Sequence, residues 1–147
     1  MSQQPTVSFY ALNQVDPDSV ILFACRLAEK AHQLNHRVHI HTDSLEQANH
    51  LDELLWQFKA ESFLPHVNID EDQTKSQSEY KITLGSGANT PVKPDVLINL
   101  ASAVWDCHNE FSNIREIVSA DDTSRDLGRQ RYRYYQSQGY DIETMKP

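Results

Sequence analysis

Apolar and polar positions along the chain fall into short blocks whose periods change from two to about 3.6. Thr6 to Leu12 (Thr-Val-Ser-Phe-Tyr-Ala-Leu) is rich in β-branched and aromatic residues and predicts a first strand. Asp16-Pro17-Asp18-Ser19 supplies capping residues. Val20, Phe23, Ala24, Leu27, Ala31 and Leu34 then recur at three- and four-residue intervals, which predicts a helix to about residue 34. Arg37 to Thr42 predicts a second strand. Asp43-Ser44 can cap a second helix with the stripe Leu45, Ala48, Leu51, Leu54 and Leu55, ending near Trp56. A β-α-β-α opening favours parallel pairing of the first two strands.

The pattern weakens from residue 57 to 80. Gln57 to Leu64 is half apolar, and Asp70 to Glu79 is polar, acidic and without period, so it reads as a loop. Lys81 to Leu84 is a short strand candidate, and Gly85 to Pro91 a turn. Asp95 to Ala101 is nearly continuous in apolar residues and predicts a central strand. Trp105 to Phe111 is expected as a short helix and Ile114 to Val118 as a last strand. Asp121 or Asp122 is expected to cap a terminal helix. No repeat and no linker interrupts residues 1–147, so one α/β domain is expected.

Composition narrows the class. Lys plus Arg number 13 against 21 Asp plus Glu, a net charge of -8, with 39% hydrophobic residues and a mean hydropathy of -0.61. No apolar run approaches the roughly 20 residues of a membrane span. The first residues carry no signal-peptide pattern. The two cysteines, Cys25 and Cys107, lack metal-ligand spacing and are expected as buried thiols on helices. A cytoplasmic protein is the expectation.

Catalytic chemistry is not found in the sequence. The first strand-to-helix turn, Asn13 to Ser19, has no glycine and holds two carboxylates where a phosphate needs backbone N–H groups. The four glycines form neither dinucleotide nor P-loop spacing. Seven histidines raise the question of a metal. Without cysteines at zinc spacing or an H-E-x-x-H, surface or edge histidines are expected instead. No cofactor is expected.

Two segments carry binding character. Arg125, Arg129, Tyr132 and Arg133 stand at i, i+4, i+7 and i+8, one helical face, in a chain that is otherwise acidic. A cationic face with an aromatic on it suits an acidic peptide with an apolar side chain. It equally describes a solvated basic surface, and a direct single-stranded-DNA site is a third reading. The second segment, Leu51 to His66, crowds Trp56, Phe58, Phe63, Leu64 and Pro65 around a helix end and an irregular connection. Such residues either roof the core or meet a partner.

Leu51-Asp52-Glu53-x-Leu55-Trp56, Glu61-Ser62-Phe63-x-Pro65-His66, Asp95 to Leu100, and Arg129-x-Arg131-Tyr132-Arg133-x-Tyr135 with Gly139-Tyr140 together resemble the chi subunit of bacterial DNA polymerase III, a clamp-loader accessory family. The likeness spans nearly the whole chain. It implies a Rossmann-like three-layer α/β fold with a mainly parallel central sheet and no nucleotide site. It also implies a non-catalytic bridge. One surface would bind the psi subunit, and another the acidic C-terminal tail of single-stranded-DNA-binding protein. A DNA-repair helicase reached through the psi surface is a further partner the family allows. By similarity Val118, Arg125, Arg129, Tyr132 and Arg133 fall at the tail pocket, and Trp56, Phe63 and Pro65 at the psi surface. Arginines stand at 125 and 133 where lysine can occur in the family. The loop from Asp70 to Thr90 is not recognisably shared. The alternatives kept are a degenerate nucleotide-dependent enzyme and a direct single-stranded-DNA binder.

Overall fold

A computed structural model describes residues 4–57, 65–70, 80–91 and 93–146. Among these residues, seven strands form one sheet: β1 (Thr6–Ala11), β2 (Val38–His41), β3 (His66–Asn68), β4 (Ile82–Gly85), β5 (Val96–Asn99), β6 (Asn113–Val118) and β7 (Ile142–Met145). Every pairing is parallel, in the order β3-β4-β2-β5-β6-β1-β7. Helices α1 (Pro17–Gln33) and α2 (Leu45–Gln57) cover one face, and α3 (Asp122–Ser137) lies on the other. The expected three-layer α/β architecture is therefore the observed one.

Alternation along the strands divides the core. Val38, Ile40, Val96, Ile98 and Ile117 point towards α1 and α2, where Ile21, Ala24, Ala28, Leu51 and Leu55 are almost fully buried. Val7, Phe9, Leu97 and Ile114 point the other way and pack with Trp105, Phe111 and Tyr135. Strands β2, β4 and β5 are buried throughout, as expected of central parallel strands covered on both faces.

Several expectations are corrected. Ile114 to Val118 is not the last strand, because β7 follows α3 and pairs beside β1 at the sheet edge. β3, three residues long, lies in the segment read as irregular. Trp105 to Phe111 is not an α-helix; only a 3-10 turn forms over His108–Glu110. Asp106, His108 and Asn109 have weak helix propensity, and Trp105, His108 and Phe111 all turn inward, a three-residue spacing that a 3-10 turn presents on one side. Cys25 is buried in α1, where burial pushes its thiol up to about 12, but Cys107 sits half-buried in the turn before residue 108.

The histidines are corrected most sharply. His39 and His41 are 1% and 7% exposed, and their rings stack under Trp105 at 5.2 and 4.2 Å. They line the face of β2 opposite α1 and α2. His66 and His108 are buried as well. Among the described residues, no three His, Cys, Asp or Glu side chains come together as a metal set.

Candidate partner-binding surfaces

The terminal helix is fixed at both ends and from below. Asp121 is its N-cap, accepting from Ser124 N at 2.8 Å and from the Ser119 hydroxyl at 2.5 Å. These bonds hold the Asp121 carboxyl down to about 2, with the Ser119 contribution the larger. At the other end Gly139, at φ +79°, allows Tyr140 N to reach Tyr135 O and Gly139 N to reach Gln136 O, each at 3.1 Å. This is a Schellman closure, and the Tyr135 and Tyr140 rings stack across it at 5.6 Å.

Beneath α3 lies a buried polar cluster that the hydrophobic pattern does not reveal. Glu116 is fully buried in β6. Its carboxylate accepts from Arg131 Nε at 2.8 Å, Tyr135 Oη at 2.6 Å and Asn99 Nδ2 at 3.0 Å. Arg131 also donates to Ser102 O at 2.9 Å. Burial pushes the Glu116 carboxyl up, and Arg131, Tyr135 and Asn99 pull it back. Arg131 therefore faces inward, two positions from Arg129, which is exposed.

Of the five residues expected at the tail surface, four stand on α3 and Val118 lies beneath it at the end of β6. Arg125, Arg129 and Arg133 follow one another at i, i+4 along the exposed side. Tyr132 lies on the sheet side of that stripe, its ring 5.4 Å from Phe9 of β1, and stays 36% exposed. Val118, half-buried at the end of β6, sits directly below Gly128 of α3. The result is a cationic ledge with an apolar inner edge. Arg129 is not idle there: its Nη1 lies 2.8 Å from Asp126 Oδ1, an exposed i, i+3 pair.

Of the three residues expected at a psi surface, Trp56 and Pro65 are among the described residues. Trp56, on the last turn of α2, is 51% exposed, and its ring centroid is 4.4 Å from that of His66 on β3. His66 Nε2 in turn lies 2.9 Å from Asp52 of α2. Pro65, just before β3, is half-buried. Phe63 lies outside the described residues. Trp56 is half exposed at the edge of the sheet rather than buried in the core. From β3 to β6 there are four strand positions, roughly 19 Å. The Trp56 surface and the α3 ledge are on opposite faces as well as far apart.

A cleft of about 290 Å³ opens at the carboxyl ends of the strands between α1 and α3, where doubly wound folds bind nucleotides. Its chemistry is wrong for phosphate. The α1 N-terminus is filled by the Asp16 carboxylate, which accepts from Ser19 N at 3.0 Å, and the α3 N-terminus by Asp121. Asp43, also in the wall, holds Ser102 N at 3.0 Å. A phosphate would meet carboxylates instead of open N–H groups. No helix among the described residues is long and apolar enough to cross a membrane.

Comparison with known proteins places the chain in a family. Residues 5–143 match the family model described as DNA polymerase III chi subunit, HolC. The chain is 34% identical over 137 residues to the DNA polymerase III subunit chi of Pseudomonas aeruginosa, covering 93% of each chain. It is 31% identical over 139 residues to that of Haemophilus influenzae, covering 95% of each. Against the Escherichia coli protein the identity is 29% over 141 residues, 93% of this chain and 95% of that one. With the family model spanning most of its length, the chain belongs to the DNA polymerase III chi subunit family.

Proposed function

We propose that this chain is a non-catalytic adaptor of the replicative DNA polymerase III holoenzyme. In this reading it links the clamp loader, through the psi subunit, to the C-terminal tail of single-stranded-DNA-binding protein. The observation that carries the reading is the α3 ledge, where Val118, Tyr132 and three arginines share one accessible edge of an otherwise acidic protein.

The chemistry divides among these residues. A terminal carboxylate is planar and suits bidentate capture by a guanidinium, and Arg129 sits mid-stripe. Tyr132 and Val118 form the apolar wall for the last side chains of the tail. Arg125 and Arg133 flank it and attract the tail's acidic residues, more for steering than for affinity. On the opposite face, Trp56 and Pro65, with Phe63 beside them in sequence, supply the psi contact. A DNA-repair helicase could use that same surface in place of psi.

Titration of a labelled tail peptide tests the reading. Arg129→Ala is expected to weaken binding by about 1.5–3 kcal/mol, ten- to over a hundredfold. A peptide lacking its last residue is expected to lose at least as much. Equal affinity for full and truncated peptides contradicts the pocket. Tight binding of bare single-stranded DNA, lost on Arg129→Ala, would favour the nucleic-acid reading instead. A nucleotide that raises the melting temperature would revive the enzyme reading.

A further inference from the structure

Among the described residues, two helices lie on one face of this sheet and do not span its width. Seven strands about 4.8 Å apart span roughly 29 Å, while two helices about 10 Å wide cover roughly 20 Å. The remaining strip lies beside α1, over β6, β1 and the β7 edge. There a groove of about 530 Å³ runs from Phe23 to Leu34 along α1, about 16 Å or three helical turns. Tyr10, Val96 and Ile98 are in its floor, and Leu34 and Met145 stand 63% and 37% exposed on its banks.

The groove is basic in a chain of net charge -8. Arg26, Lys30, Arg115 and Lys146 line it, and among the described residues none of the four makes an ion pair. Arg115 is held across the floor by the Tyr10 hydroxyl and by Asn113 Oδ1 at 2.5 Å, both neutral. Among the described residues the lining holds one carboxylate, Asp95, which is engaged by His36 at 3.1 Å and by Arg37 N at 3.2 Å. Glu143, two residues before Met145 on β7, is outside the lining.

We infer that this groove seats an acidic amphipathic helix from another protein. The strip beside α1 is about one helix wide, the groove's length matches three turns, and the partly exposed Phe23, Leu27, Leu34 and Met145, with cations that make no ion pair among the described residues, complement an apolar stripe flanked by carboxylates. Single-stranded nucleic acid fits less well. The Tyr10 and Phe23 rings pack on each other at 5.1 Å, and Tyr10 is 5% exposed, so the Tyr10 ring is not offered for base stacking. The groove is distinct from both the α3 ledge and the Trp56 surface.

The probe is a labelled 18-residue peptide with leucines on one helical face and glutamates elsewhere. A lysine-for-glutamate version serves as its opposite. Fluorescence anisotropy with the full chain is expected to give saturable binding of the acidic peptide, at least about tenfold tighter than the basic one and weakened by salt. The double variant Arg26→Glu/Lys30→Glu and the single variant Leu34→Asp are each expected to weaken it about tenfold or more. Both leave the melting temperature near that of the parent, since the altered side chains are exposed. Equal affinity for the two peptides, or undiminished binding to either variant, overturns the inference. So does oligothymidylate that binds the parent and not the double variant. Self-association abolished by Leu34→Asp, with no peptide binding, would assign the groove to a second copy of the chain and overturn it too.

Discussion

A Cβ added to Gly128 would lie 2.8 Å from Cγ2 and 3.1 Å from Cγ1 of Val118. The missing side chain lets α3 settle onto β6 and brings Val118 up to the foot of the arginine stripe. Gly128→Ala gains about 1 kcal/mol of helix propensity and loses about 1–3 kcal/mol to overlap with a stiff β-branched side chain. The single variant is therefore expected to be less stable than the parent. Adding Val118→Ala, which removes both clashing methyls, should make the same glycine substitution stabilising. Urea denaturation of the four proteins of this double-mutant cycle measures the coupling; zero coupling contradicts the close approach.

Asp126 competes for the guanidinium that the proposed tail would use. The Arg129–Asp126 pair is exposed on both sides, so it contributes no more than about 1 kcal/mol. Asp126→Asn frees Arg129 and removes a like charge from the path of an acidic peptide. Tail affinity is expected to rise about two- to fivefold, with the gain shrinking as salt increases. Tail titrations at low and high salt read both effects, and weaker binding by Asp126→Asn would contradict the assignment of Arg129.

Arg131 and Arg129 should separate stability from binding. Removing Arg131 as Arg131→Met strands the buried Glu116 carboxylate and is expected to cost about 3–5 kcal/mol. Tyr135→Phe removes one charge-assisted bond to the same carboxylate and is expected to cost about 1.5–3 kcal/mol. Arg129→Ala, on the exposed side, should change stability by less than about 1 kcal/mol. Equilibrium unfolding ranks the three, and a ranking with Arg129 first would be inconsistent with the network.

Acid should weaken the fold through β2. Burial, with His41 nearby adding to it, holds His39 down to about 3, and burial lowers His41 as well. In the unfolded chain both titrate near 6.5. Below that pH the unfolded state binds protons that the folded state refuses. Their neutral burial thus contributes full stability above about pH 6.5 and loses it as pH falls, for His39 down to about pH 3. Each histidine adds a slope of about 1.4 kcal/mol per pH unit inside its window. His39→Phe keeps the stacking under Trp105 and should flatten the acid limb between pH 6.5 and 4.5. An unchanged limb, measured as the difference from the parent at each pH, would contradict a neutral buried His39.

Much of this was legible in residue order, for physical reasons that can be located. α1 and α2 bury apolar stripes against a sheet, so period 3.6 marks them. The stripe Arg125, Arg129, Arg133 with Tyr132 was readable because like residues at helical spacing share a side of α3. The buried side of α3 was not, because it is Gly128, Arg131 and Tyr135, and a polar stripe gives no hydrophobic signal. Glu116 between Arg115 and Ile117 was the available clue: a carboxylate on the α3 side of an inner strand needs a cation from whatever covers it. His39 and His41 read as surface residues by type, but in β2 both faces are covered. β3 was missed because His66-Val67-Asn68 holds a single apolar side chain, and β7 because it is mostly exposed and half polar, unlike the equally short but buried β2, β4 and β5.

The central claim is that one chain holds two partners at once. Its most direct test is sedimentation velocity of this protein mixed with psi and a fluorescent tail peptide, monitored at the dye. The account predicts that the dye moves with the ternary species at the tail affinity of the chain alone, because Trp56 and the α3 ledge lie on opposite faces. Trp56→Ala should release psi, at a cost of about 2 kcal/mol or more, while the dye stays on the chain. Displacement of the peptide by saturating psi would contradict the adaptor account.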